Sequence, residues 1–243
     1  MDDPKARSGS YRRAFWIAVI ITVAAWLLPF GGLAIYPFSL LATWAHELGH
    51  GLGALISGGT FQRLEIFPGL SGLATTTSSG GAAQALVSVS GLVGAPLLGA
   101  LVVAVGPRAG WARWILAAMA AVLVASVALW VRNPFGVIAV LALAAGCGLG
   151  AWRLTPWRQF ILVQLVGIQL ALSALRNWSY LFVDDVRIGG RLMPSDVGAV
   201  ARVVGGPYWV WGALVLCFNL AVLYGAYRLA LRYMRRGDRA RAT

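Results

Sequence analysis

The sequence predicts an all-α polytopic membrane protein, with six to seven transmembrane helices and one short membrane-associated β-hairpin. Its 243 residues are 59% hydrophobic and only 12% charged, and the mean hydropathy is +0.76. Soluble domains are about 45–50% apolar and about 25% charged, so this composition excludes an ordinary globular protein. The apolar residues also gather into successive runs, most of which approach the ~20 residues needed to cross the hydrocarbon core.

The predicted helices belong to one transmembrane domain, residues 14–231, between a basic N-terminal tail (1–13) and a basic C-terminal tail (232–243). The first run has no small-x-small cleavage site of a signal peptide, and the stretch Pro29-Phe30-Gly31-Gly32 predicts a tight loop to the next helix. The apolar runs occupy residues 14–28, 33–57, 82–105, 112–131, 135–152, 157–175 and 208–231.

The net charge of +12 does not by itself indicate a nucleic-acid partner. The arginines lie mainly in the tails and at the ends of apolar runs, where topology-setting charges and lipid-headgroup contacts are found. If all seven runs cross and the N-terminus is cytoplasmic, the 20 Lys and Arg residues divide equally between the two sides. The positive-inside rule therefore does not decide whether the number of membrane crossings is odd or even. A cytoplasmic N-terminus is favoured.

The most informative stretch is His46-Glu47-Leu48-Gly49-His50, which lies in the second apolar run and contains both histidines of the chain. Helix positions i and i+4 lie on one face, so His46 and His50 can direct two imidazoles at one ion, and zinc suits them. Glu47 lies beside the first ligand, where it can accept a proton from water. A chance match with two buried histidines is the alternative. Ionisable groups are costly in an apolar helix, however, which favours a functional site.

A β-hairpin is predicted directly after this helix, at about residues 59–77. Polar and apolar residues partly alternate over residues 61–67, Pro68-Gly69 is a turn pair, and a Thr-rich stretch follows at residues 70–77. A plain polar loop is the alternative interpretation. A hairpin in this place could pair its edge with an extended peptide and hold that peptide beside the metal.

Small residues recur at four-residue spacing in two of the predicted helices. Gly91, Ala95 and Gly99 lie in the third run, and Gly146 and Gly150 lie in the fifth. This spacing lets helix backbones approach closely in lipid, so these residues predict packing rather than chemistry. The two cysteines also lie inside apolar runs and predict packing rather than a disulfide or a metal site.

A catalytic zinc needs a third protein ligand. The downstream polar residues that could supply it are Asn133, Asp184, Asp185 and Asp196. A carboxylate is favoured over the amide, because its charge offsets that of zinc. Ser195-Asp196 is also explained as the N-cap of a short interfacial helix, and the two adjacent aspartates as a solvated pair facing Arg187 and Arg191. Asp184 is favoured on charge grounds alone, and the other candidates stay open.

In their order along the chain, these features resemble the site-2-protease family of intramembrane zinc metalloproteases. Within that family the chain is similar to a divergent, compact bacterial branch. The resemblance extends from about residue 33 to residue 136. It includes the His46–His50 motif, the hairpin, and residues 91–96, which are similar to the family's small-residue motif in the next helix. The family's second signature is an Asn-Pro-rich run that ends in Leu-Asp-Gly. Residues 131–136 contain Asn133-Pro134 at a similar distance but no aspartate.

The resemblance implies a zinc metallopeptidase that hydrolyses peptide bonds of membrane-embedded proteins, as a multi-pass protein of the bacterial inner membrane. The expected site consists of His46, His50 and Asp184 as zinc ligands and Glu47 as the catalytic residue. The expected partners are the lipid bilayer and a transmembrane protein or peptide, without nucleic acid. One alternative is an inactive homologue that acts as a membrane binding or scaffold protein, which the missing Leu-Asp-Gly favours. A transporter is disfavoured, because it would distribute ionisable residues through several spans.

Overall fold

The computed structural model describes residues 4–106, 110–176, 178–188 and 191–239 and confirms the predicted all-α architecture. Its first part comprises α1 (Pro4–Leu27), α2 (Gly31–Ile56), β1 (Thr60–Ile66), β2 (Gly72–Thr77), α3 (Gly81–Val105) and α4 (Trp111–Leu129). Its second part comprises α5 (Pro134–Arg153), α6 (Pro156–Ala171), α7 (Ser173–Arg176), a 3-10 helix (Trp178–Phe182), β3 (Asp185–Ile188), β4 (Arg191–Pro194), α8 (Asp196–Val204) and α9 (Tyr208–Arg239). Helices α1 and α9 thus continue into the two basic tails, whose residues 1–3 and 240–243 lie outside the described residues.

Within the described residues, four helices are long and apolar enough to cross a membrane: α3, α4, α5 and the Tyr208–Tyr233 part of α9. Phe15–Leu27 and Gly31–Ile56 form a pair bent by 116°, which gives a fifth span if the pair crosses once. The sequence predicted six to seven spans. The number is lower because the first two runs form this bent pair. In addition, α6 has only 16 residues, about 24 Å of helix against a hydrocarbon core of about 30 Å.

The predicted hairpin is present as the antiparallel pair β1–β2, in which Leu64 faces Ala74. The other edge of β1 is covered by the segment between α4 and α5. The N–H of Leu64 donates to the carbonyl of Trp130 at 2.8 Å, and the N–H of Arg132 donates to the carbonyl of Leu64 at 3.1 Å. These bonds close one edge of the hairpin, so an added strand would have to use the edge of β2.

Asn133 completes the closure of this edge. Its side-chain oxygen accepts the N–H of Ile66 at 3.0 Å, and its side-chain nitrogen donates to the carbonyl of Ile66 at 2.6 Å. The amide therefore pairs with β1 as a neighbouring strand would. Asn133 contributes to the position of the hairpin, and its side chain is not directed at the histidines.

The small residues of α3 lie at helix contacts. A Cβ atom on Gly91 would lie 2.1 Å from the ring of His50 in α2, and one on Gly99 would lie 2.2 Å from a backbone nitrogen of α6. Helix α3 thus packs between α2 and α6. In α5, a Cβ atom on Gly150 would lie 2.9 Å from a leucine of α6, whereas Gly146 faces open space. The packing role that the spacing predicts therefore holds for these glycines except Gly146.

A second hairpin, β3–β4, was not predicted from the sequence. It carries the chain from the 3-10 helix to the start of α8, and its strands pair antiparallel. At its open end the N–H of Ser195 donates to the carbonyl of Asp184 at 2.8 Å. The hydroxyl of Ser195 then accepts the N–H of Gly198 at 3.0 Å, which is the predicted N-cap of a short helix. The pair Gly189-Gly190 between two short stretches was the available signal for this hairpin.

Candidate metal centre

Helix α2 directs both histidines at the same point inside the molecule. The Nε2 atoms of His46 and His50 are 3.1 Å apart, and the two rings meet edge to face with centroids 4.7 Å apart. Behind them the helix is anchored by Trp44, whose indole N–H donates to the hydroxyl of Ser126 on α4 at 2.9 Å. The i, i+4 spacing therefore brings the two imidazoles together on one face of α2, while Trp44 fixes the helix to α4 from another face.

Asp196 completes the cluster from α8. Its Oδ2 atom is 3.2 Å from Nε2 of His46, and its Oδ1 atom is 3.3 Å from Nε2 of His50. Within the described residues, these three side chains form a group whose ligand atoms all lie within 4.8 Å of one another. Asp196 is the first residue of α8, so the Ser195 cap that starts this helix also sets where the carboxylate emerges.

The spacing of these atoms fits a zinc ion. A tetrahedral zinc with ligands at about 2.0–2.1 Å requires neighbouring ligand atoms about 3.3 Å apart. The two imidazole nitrogens are 3.1 Å apart, and each lies 3.2 or 3.3 Å from one of the two oxygens of Asp196, which is close to that requirement. Two imidazoles and one carboxylate also form a donor set used by catalytic zinc, which keeps the fourth position for water. The residues therefore fit a catalytic rather than a closed structural metal site.

The tautomer of His50 suits metal binding. Its Nδ1 atom lies 2.9 Å from the backbone carbonyl of Val87 in α3. A carbonyl can only accept, so Nδ1 carries a proton, and Nε2, which faces His46 and Asp196, is the nitrogen that can bind a metal once it has released its own proton. Ligand histidines are commonly oriented by such a bond on the other ring nitrogen. The contact also joins α3 to the centre.

Glu47 lies next to the cluster but does not belong to it. Its side chain is buried, and its Oε2 atom accepts the backbone N–H of Ala74 in β2 at 2.7 Å. A Cβ atom on Gly72 would lie 2.6 Å from Oε1 of Glu47, so a larger residue at this point of the hairpin would have to displace the Glu47 side chain. The hairpin thus packs directly on the carboxylate that the sequence assigns as the general base.

The carboxyl group of Asp196 is an anion at neutral pH. Burial by itself would raise its pKa, but the charge of His50 and the hydrogen bonds to His46 and His50 outweigh burial and lower the pKa well below its usual range. Helix α8, which carries Asp196, lies outside the candidate membrane spans. The anionic form is the one that binds a divalent metal.

The other candidates for a third ligand lie elsewhere. The side chain of Asp184 is 49% exposed, and its Oδ1 atom is 3.6 Å from a guanidinium nitrogen of Arg202. Asp185 is 2.7 Å from the same nitrogen, and Asn133 is bound to β1. Asp184 precedes the β3–β4 hairpin and Asp185 is the first residue of β3, so the chain must turn back through the hairpin before α8 reaches the histidines. The structure therefore brings Asp196, and not Asp184, to the two imidazoles.

A cavity of about 580 Å³ opens beside His46 and Glu47. The turn of the first hairpin lines it at Leu70, helix α3 lines it at Pro96, and the 3-10 helix lines it at Tyr180. Strand β3 of the second hairpin also contributes to the wall. The cavity is therefore bounded by both hairpins, and His46 and the candidate base Glu47 are among the residues that line it.

The fold and the site together define an integral membrane protein with a two-histidine, one-carboxylate ligand set and an adjacent buried glutamate, as in membrane metallopeptidases. A family model described as Peptidase M50B-like matches residues 16–226, and the chain belongs to this family of site-2-protease type. The match extends beyond residues 33–136, on which the resemblance in the sequence was based. Comparison with curated proteins and with solved structures gives no significant match.

We expect Gly91→Ala to weaken zinc binding by about 10- to 100-fold, the range seen when groups that orient a ligand histidine are changed. The added Cβ would lie 2.1 Å from the ring of His50, so the ring or α3 must move, whereas metal–ligand distances hold to about 0.2 Å. Zinc affinity is measured by competition with a chromogenic chelator. Gly146→Ala is the matched control, because a Cβ atom there has nothing within 4 Å. Unchanged affinity in Gly91→Ala would contradict the packing argument.

Proposed function

We propose that this protein is an intramembrane zinc metallopeptidase that hydrolyses peptide bonds of membrane-embedded protein substrates. In this proposal His46, His50 and Asp196 hold the zinc ion and Glu47 is the general base. The observation that supports it is the convergence of two imidazole nitrogens and the carboxylate of Asp196, whose ligand atoms lie within 4.8 Å of one another, with Glu47 and a cavity directly beside them. The third ligand in this proposal is Asp196, whereas charge considerations in the sequence favoured Asp184. Family membership indicates protease activity, and the bacterial inner membrane is the proposed location.

The chemistry divides between the ion and the protein. A zinc ion held by this ligand set would lower the pKa of water toward about 7 and polarise the scissile carbonyl. Glu47 would take the proton of the attacking water and deliver it to the amine that leaves. Its position suits that role, because its neighbour His46 is a ligand while its own carboxylate is turned toward β2 and the cavity. Burial keeps the carboxylate away from bulk water.

The substrate would bind as an extended strand along β2. Leu64 directs its backbone N–H and C=O toward residues 130–132, away from β2. Its partner Ala74 therefore directs its own backbone groups to the opposite edge, as antiparallel pairing requires. That edge runs past Glu47, which already accepts the Ala74 N–H. A strand added there would lie beside the ligand cluster, and one that takes the Ala74 N–H would release Glu47 from the hairpin.

Pairing with β2 addresses the main energetic problem of cleavage in a membrane. A transmembrane helix must unwind before attack, and each amide left unsatisfied in lipid costs several kcal/mol. The edge of β2 would supply partners for some of these amides. The cavity is lined by apolar groups such as Leu92 and Leu181 and by hydroxyls such as Thr43 and Ser173. It can therefore accept apolar side chains of an unwound segment while remaining accessible to water.

Metal removal and restoration test the proposal. The full chain, purified and placed in proteoliposomes, is expected to hold about one zinc ion per molecule by the ligand count. It is expected to cleave members of a library of synthetic transmembrane peptides with central Gly-Pro breaks, as read by mass spectrometry. A chelator should stop cleavage, and zinc should restore it. Full zinc occupancy without cleavage of any peptide would favour the alternative, a non-catalytic membrane binding protein.

A further inference from the structure

Tyr180 contacts the ligand cluster from the 3-10 helix. Its phenol O–H donates to Oδ2 of Asp196 at 3.2 Å, and its ring meets that of His46 edge to face with centroids 6.3 Å apart. The side chain is partly buried and lines the cavity. No motif in the sequence points to this residue, because its contacts arise only when the 3-10 helix is packed beside α2 and α8.

The phenol of Tyr180 donates its hydrogen bond to only one of the two carboxylate oxygens of Asp196. Oδ2 of Asp196 faces His46 and Oδ1 faces His50 at nearly equal distances, 3.2 and 3.3 Å. A carboxylate so placed can bind a metal through one oxygen or through both. Binding through both would add a fifth ligand atom and crowd the position that a catalytic zinc keeps for water. A hydrogen bond donated to Oδ2 occupies a lone pair of that oxygen and leaves Oδ1 as the better ligand.

The segment that carries Tyr180 is held firmly in place, so its phenol can determine whether Asp196 binds through one oxygen or through both. Its neighbour Leu181 is 3% exposed and packs with Val197 of α8 and Val215 of α9. A Cβ atom on Gly212 of α9 would lie 1.9 Å from the carbonyl oxygen of Leu181, so the two backbones are in close contact. The phenol is thus held against α8 by the same apolar cluster that positions Asp196.

Resting on the function proposed above, we propose that Tyr180 is a positioning residue that makes Asp196 a ligand through Oδ1 alone and so keeps one coordination position open for water. The role is carried by the bond to Asp196 and not by contact with the substrate. A hydrogen bond to a coordinating carboxylate typically contributes about 10- to 100-fold to metal affinity or activity when it is removed.

The experiment compares Tyr180→Phe with Tyr208→Phe in the full chain. Tyr208 packs in the same apolar cluster but is not part of the cavity or the ligand set. Metal-free protein is loaded with Co²⁺, whose visible absorption is strong with four ligands and weak with five. We expect Tyr180→Phe to show the weaker band and about 10- to 100-fold lower zinc affinity. Tyr208→Phe should match the unaltered protein.

Four outcomes separate the claims. A Tyr180→Phe protein with the unaltered cobalt spectrum and zinc affinity would overturn the positioning role and leave the peptidase proposal standing. Failure of the unaltered protein to bind either metal would overturn both. Thermal unfolding of the metal-free proteins is measured alongside. A spectral change in Tyr180→Phe at an unchanged midpoint supports a local effect on Asp196, whereas spectral changes that follow the loss of folding in both variants would refute it.

Discussion

Replacing Glu47 by glutamine is expected to abolish peptide cleavage while the zinc stays bound. The amide has the same shape but cannot accept the proton of the attacking water, and general base catalysis is worth about 10²- to 10⁴-fold. Glu47 is not a member of the ligand group, so the metal should remain. The glutamine oxygen can still accept the Ala74 N–H, which Glu47 now accepts at 2.7 Å. The fold of the hairpin should therefore be preserved.

The measurement pairs the rate of peptide cleavage in proteoliposomes with zinc content by elemental analysis. Glu65→Gln is the matched control, since Glu65 lies in the same hairpin and its partner is Arg63, 3.5 Å away. That variant should cleave at nearly the unaltered rate, because a surface ion pair contributes about 0–1 kcal/mol. Cleavage by Glu47→Gln within a few-fold of the unaltered rate would show that another group is the base.

Replacing Asp196 by alanine is expected to remove tight zinc binding, and Asp184→Ala is expected to leave it. Structural zinc sites bind with about 10–16 kcal/mol in total. One ligand among four therefore accounts for about 3 kcal/mol, or about 100-fold in affinity. In the proposed site Asp196 would also supply the negative charge that offsets the ion. Asp184 is half exposed and contacts Arg202 at 3.6 Å, so its removal should change little.

Zinc affinity by chelator competition decides between the two aspartates, with cleavage as a second readout. Both variants should fold, because the hydrogen bonds of the Ser195 hydroxyl and backbone N–H at the start of α8 do not involve either carboxylate. Loss of zinc in Asp184→Ala together with retention in Asp196→Ala would reverse the assignment. Loss in neither variant would leave the two histidines as the dominant ligands and would weaken the catalytic proposal.

The segment that resembles the family's second signature serves a structural purpose in this chain. Residues 130–133 pair with β1, and Asn133 binds both backbone groups of Ile66. The carboxylate that faces the histidines comes instead from the start of α8, after a second hairpin. The absence of Leu-Asp-Gly therefore does not leave the site without an acid. It moves the acid to a later element that packs on α3 and α9.

Local features of the sequence were sufficient for the long apolar helices, the first hairpin and the motif in α2. Helix periodicity fixes the relation of His46 to His50 without reference to the rest of the chain. The first hairpin follows from the turn pair Pro68-Gly69 and from the alternation of polar and apolar residues before it. The six to seven spans predicted exceed the four or five candidates found among the described residues, because hydropathy alone does not show that α1 and α2 meet at a bend of 116°. Nor does it show that α6 ends after 16 residues.

By itself, then, the sequence determined that the chain is a bundle of apolar helices carrying two imidazoles and a carboxylate on one of them. Only the tertiary structure decided that Asp196 rather than Asp184 meets those imidazoles, that Tyr180 holds Asp196, and that Asn133 belongs to the hairpin. The physical reason is that charge and residue type are the same for both aspartates. Their positions differ through the turn of β3–β4 and the packing of α8, which depend on contacts between residues far apart in the chain.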